Sequence, residues 1–214
     1  MTEFDWKRCN DPQKMLEWLR HSGNAPERKL RLFACACCRG IWHRLSDKCS
    51  RRAVEVVERF ADGRATPQTF RKWHWAAYEA YEVTGEAAYA VYAAGHRVAD
   101  LAASDAAEAA ADAGQERVSQ CDLLRDIFGN PFRAAPAIDP AWLAWNDGTV
   151  TKLAEAAYEN RSLPEGTLEQ DRLAVLADAL EEAGCSDEEM LGHLRGPGPH
   201  VRGCHVVDAI LGKT

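Results

Sequence analysis

RKLRLFACACCRGIWHRL, residues 28–45, decides the fold class. On a wheel of about 100° per residue, Leu30, Ala34, Cys37, Cys38, Ile41 and Leu45 fall on one side, and Arg28, Arg39 and His43 on the other. That period belongs to a helix with one buried face; a strand would alternate. Cys37 and Cys38 read as core residues. Cys35 sits at the margin of the stripe, the more accessible thiol, one turn from Arg39. Pro26 opens the helix, which is expected to run to about Leu45.

The same period recurs outward in both directions. Asp11-Pro12 caps and opens a helix to about His21, broken by Ser22-Gly23-Asn24. Others are expected over about 47–61, 66–84, 115–128, 149–159, 168–183, 186–194 and 203–211, with Ser186 to Glu189 as a capping box. An alanine-rich stretch, 86–113, has high helix propensity. Beyond Leu101 it is mostly Ala, Asp and Glu, so its second half is expected to be exposed or frayed. Pro131 and Pro136 mark an extended connector. The expected architecture is all-α: a multi-helix bundle over 1–135 with a smaller helical lobe, 136–214, packed on it.

The chain has 214 residues, is 46% hydrophobic and carries a net charge of −7. No apolar run approaches the roughly 20 residues that span a bilayer, and residues 1–20 lack the apolar segment of a secretory leader. The cytoplasm is the expected compartment, and eight cysteines at spacings unlike a secreted disulfide framework agree with it. Residues 1–60 hold 13 Lys and Arg against 8 Asp and Glu; the remainder holds 13 against 25. The basic end offers residues 28–52 as a nucleic-acid face, or it offsets the acidic remainder.

Four candidate sites stand out. Cys185, His193, His200 and Cys204 are zinc-binding residue types, although the tight C-x-x-C knuckle is missing. A second arrangement would join Cys35 and Cys38 to His200 and Cys204. Arg195, His200 and Arg202 flank a glycine-rich segment before a helix N-terminus, where anions bind. Trp75 falls outside the core stripe of Phe70, Trp73, Ala77 and Tyr81, which suits a partner contact. No constellation of nucleophile and base identifies a catalytic residue. The expected function is a non-enzymatic interaction module or accessory subunit with a protein partner and no membrane. A zinc protein or metal-dependent enzyme, and a nucleic-acid-binding accessory, are the alternatives.

Five phrases also carry a resemblance: residues 28–45, LLRDIFGNPFR (123–133), DPAWLAWNDGTV (139–150), LAVLADALEEAGC (173–185) and HLRGPGPHVRGCHVVDAILGK (193–213). Together they resemble a multicopy, uncharacterised family of planctomycete-type bacterial proteins, at both ends of the chain but not over 62–115. The resemblance implies a bacterial source and supplies no catalytic residue.

Overall fold

Side-chain caps start several of the helices. Thr2 and Asp5 close a capping box on α1 (Glu3–Arg8), and Asp11 accepts from the first amides of α2 (Pro12–Ser22). Gly23, at φ 73°, ends α2. Asn24, the third residue of the expected break, lies outside the residues described by the computed structural model, which are 1–23 and 25–213, with the side chain of Glu86 also left out. Next come α3 (Glu27–Gly40), α4 (Lys48–Ala61), capped by Asp47, and α5 (Pro67–Thr84), capped by Thr66. The chain continues through α6 (Glu86–Ala94), α7 (Ala99–Asp112), α8 (Arg117–Phe128), α9 (Pro140–Ala144) and α10 (Thr149–Glu159). A two-residue hairpin, β1 (Arg161–Ser162) with β2 (Thr167–Leu168), precedes α11 (Gln170–Glu182), α12 (Glu188–Arg195) and α13 (His205–Ile210). The fold is all-α, as the periodicity predicts. Among the described residues no helix is long and apolar enough to cross a membrane.

The chain forms two compact units, Met1–Leu124 and Arg125–Thr214. The division falls inside α8, ahead of the proline connector where the sequence places it. Asp126 lies on the C-terminal side of that division, and its carboxylate is bonded by residues 193, 200 and 201.

In the N-terminal unit α3 packs on α4, α6 and α7, and its buried residues are apolar apart from Arg31 and Arg39. Three expectations for this region change. The helix ends at Gly40 rather than near Leu45, and residues 42–44 form a 3-10 turn. A Cβ at Gly40 would collide with the Gln115 side chain. Cys35 is as deeply buried as its neighbours, and burial pushes its thiol pKa well up. Arg39, placed on the polar face by the wheel, is buried too: Glu58 of α4 meets its guanidinium through two hydrogen bonds, 2.5 and 2.9 Å.

The alanine-rich stretch also differs from its expected exposure. It breaks at residues 95–98 into α6 and α7, and Ala102, Ala103, Ala106, Ala107 and Ala110 are wholly buried. Small side chains let α7 approach α3 and α6 closely, which hides backbone and methyls together. Leucine at position 106 has no room there. Ala106→Leu is expected to cost about 1–3 kcal/mol by overpacking, read as a lower urea midpoint at unchanged m-value.

In the C-terminal unit α11 packs on α10 and α12. Leu173, Leu176, Ala177 and Leu180 join Val150, Tyr158, Leu194, Val206 and Val207 in one core. Asp187 rather than Ser186 caps α12; its carboxylate accepts from the amides of Glu189 and Met190. The hairpin holds the loop before α13: Leu168 donates to the carbonyl of His200 at 2.8 Å, and Thr167 bridges Val201.

Candidate metal centre

Three segments of the C-terminal unit bring four donor atoms together. Asp126 comes from the last turn of α8, on the ridge it shares with Leu123 one turn earlier. His193 comes from the last turn of α12. His200 and Cys204 come from the loop before α13, with Cys204 as the residue that caps it. Gly198 lets the loop close, because a Cβ there would stand 2.9 Å from the amide nitrogen of His200. A turn from Val201 O to Cys204 N, 3.0 Å, folds the thiol back toward the imidazoles.

One carboxylate oxygen is the hub. Asp126 Oδ1 lies 3.1 Å from His193 Nε2 and 2.9 Å from His200 Nδ1, and His193 Nε2 lies 3.2 Å from Cys204 Sγ. The four donor atoms all fall within 4.8 Å of one another. Donors on a zinc tetrahedron, with bonds of about 2.0–2.3 Å, stand roughly 3.3–3.6 Å apart. The three short separations therefore lie within a few tenths of an ångström of a coordination shell. This Asp/His/His/Cys group could hold a metal ion.

The partners behind the donors orient them. His200 Nε2 faces the carbonyl of Gly196 at 3.2 Å, and only a protonated nitrogen satisfies that contact. In a neutral ring this leaves Nδ1 as a lone pair pointing at a carboxylate oxygen. Two acceptors at 2.9 Å need a cation between them, either the proton of an imidazolium or a metal. The other Asp126 oxygen, Oδ2, accepts from Val201 N at 2.8 Å, so the carboxylate cannot rotate freely. Such outer contacts are what fix ligand tautomer and direction in metal sites.

Comparison with protein-family models, curated proteins and solved structures returns no match in any of the three.

Burial opposes charge on Asp126, but hydrogen bonds from His193 and His200 outweigh it and hold the carboxyl below its usual range. For His200 burial opposes the charged ring, and the Asp126 carboxylate outweighs it, so its pKa is raised. Burial, then the Asp126 charge, pushes the Cys204 thiol well up. These shifts favour the charged carboxylate, the protonated ring and the neutral thiol, and a divalent ion bound to all of them would displace the protons.

Of the four ligands expected from sequence, His193, His200 and Cys204 converge. Cys185 does not: it packs in the apolar core with Leu176 and Leu180, and Asp126 takes the fourth place. Sequence reading missed Asp126. The available signal was a carboxylate one turn after Leu123, among the apolar residues Leu123, Leu124 and Ile127. Cys35 and Cys38 are not in the group; their thiols face the carbonyls of Val54 and Ala90.

The expected anion trio is not assembled. Arg195 is paired at the surface with Asp178 and Glu181 of α11. Arg202 is buried 4.9 Å over the Tyr158 ring with Glu159 beside it, and His200 belongs to the donor group. Trp75 is 62% exposed, with Tyr78 edge-on at 6.0 Å.

Proposed function

We propose that this chain is a zinc-stabilised helical protein that serves as an interaction module or accessory subunit. The observation that carries the zinc reading is the convergence of Asp126, His193, His200 and Cys204 from three segments distant in sequence. Two imidazoles and a thiolate favour borderline-soft ions over magnesium or calcium, and four such donors within 4.8 Å of one another suit zinc. Four protein donors could fill a tetrahedron; the side chains of Asp126 and His200 are at most 4% exposed and that of His193 is 21% exposed. A site closed in this way suits a structural ion; a catalytic one keeps a position for water.

Protein prepared without chelators is expected to contain about one zinc per chain by elemental analysis. Cobalt replacement should give a four-coordinate absorption spectrum with a thiolate-to-cobalt band. Less than ~0.2 equivalents of zinc, together with no cobalt uptake, would remove the reading. A five-coordinate cobalt spectrum with exchangeable water would favour a metal-dependent enzyme instead.

The docking part of the reading is supported by the aromatic face of α5 and α6. Trp75, Tyr78, Tyr81 and Tyr89 form a run of touching rings with Trp75 at the exposed end. Large exposed aromatics of this kind suit a protein partner. The nucleic-acid reading of residues 28–52 has less support, because several of its cations are engaged within the unit. Arg28 pairs with Asp62, Arg31 donates to the carbonyls of His96 and Arg97, Arg39 pairs with Glu58, and Arg51 donates to Leu45 O.

A further inference from the structure

His205 belongs to none of the candidate sets read from sequence, yet it touches two of the four donors and follows a third in the chain. Its Nδ1 lies 2.9 Å from the backbone carbonyl of Asp126. That carbonyl sits in the last turn of α8, where carbonyls lack helical partners, so the ring is the donor. Its ring also packs against the His193 ring, with centroids 4.3 Å apart and planes at 60°. One side chain thus pins the backbone that carries the carboxylate ligand and limits the rotation of an imidazole ligand.

The chain makes room for this contact. A Cβ on Gly129 would lie 2.7 Å from His205 Cδ2 and 2.8 Å from Cγ. Gly129 also ends α8 at φ 63°, so two requirements meet at one glycine.

Resting on the zinc reading above, we propose that His205 is a positioning residue of the metal centre. It holds Asp126 and His193 in ligand geometry without binding the ion itself. In known metal sites, removing such an outer partner weakens metal affinity about 10- to 100-fold while every ligand remains.

Three variants separate its two contacts. His205→Ala removes both, His205→Phe keeps the ring beside His193, and His205→Asn keeps a donor near the place of Nδ1. Zinc affinity by chelator competition is expected to fall about 10- to 100-fold for Ala, stay low for Phe and recover largely for Asn. The cobalt spectrum of the Ala and Phe forms should shift in energy and lose intensity, a change that general loss of stability does not produce. Should Ala fail to fold, the Phe and Asn pair still decides. If the wild-type protein takes up no metal, the zinc reading itself fails. If wild type binds zinc and the variants match it within about twofold, with an unchanged cobalt spectrum, only the role of His205 is overturned.

Discussion

Asp126→Ala is expected to abolish stoichiometric zinc binding and to lower the thermal midpoint of the C-terminal unit by roughly 20–55 °C. The estimate combines two costs. A ligand present at about 1,000 times its dissociation constant stabilises the folded state by roughly 4 kcal/mol, and each kcal/mol moves the midpoint of a unit this size by about 4–8 °C. The substitution also leaves the buried amide of Val201 without its acceptor, a further ~1–3 kcal/mol. Asp126→Asn separates the costs: an amide oxygen can still accept from Val201 but binds zinc poorly. At pH 8, where the His200–Asp126 ion pair contributes least, the Asn form should therefore melt close to the chelated wild type, and the Ala form below it. An Ala variant that retains a full equivalent of zinc at wild-type affinity would show that the carboxylate is not a ligand.

The zinc effect should grow with pH. In metal-free protein the pair formed by protonated His200 and ionised Asp126 contributes stability over a limited window. His200 has a raised pKa, so its share is complete below the ordinary imidazole value and is lost as pH climbs through the folded one. Asp126 has a lowered pKa, so its share is present above the ordinary carboxyl value and is lost as pH falls through the folded one. Above this window only an ion can separate the two acceptors. The difference in midpoint between zinc-loaded and chelated protein is expected to widen from pH 6 to pH 8.

Glu58→Ala should destabilise the N-terminal unit by about 3–5 kcal/mol, because it leaves a guanidinium buried without its counter-ion. The Arg39 and Glu58 side chains are 4% and 5% exposed, and the guanidinium also lies 4.9 Å over the Trp42 ring. Replacing both partners, Arg39→Met with Glu58→Leu, is expected to be near neutral or stabilising, since the desolvation of both charges disappears. A double-mutant cycle by urea denaturation reads the coupling. Equal losses for the single and double variants would mean that packing around Arg39, not its charge, is what matters. Chelation should not alter this result, because the pair lies outside the residues that hold the donor group.

What was legible in the sequence follows from how far each signal reaches. Helices such as Pro12–Ser22 and Lys48–Ala61 come directly from local periodicity and caps. Alanine carries almost no amphipathic contrast, so α7 looked exposed although its methyls are buried. Arg39 looked solvated because its partner is nineteen residues away on another helix. At the metal centre His193, His200 and Cys204 are close in sequence and announce themselves by residue type. Asp126 is 67 residues from His193, and aspartate is too common to be singled out. Cys185 was preferred because cysteine is rare and close by, but its own helix end turns it into the apolar core.

Asp126 Oδ1 is shared by two imidazoles, while Oδ2 and the carbonyl of the same residue are each held by a different stretch of chain. No single strut can loosen while the others keep their geometry. Loss of the ion should therefore release the end of α8, the end of α12 and the start of α13 in one step. A half-saturated sample would then contain two distinct populations, seen as two sets of histidine resonances in slow exchange rather than one averaged set.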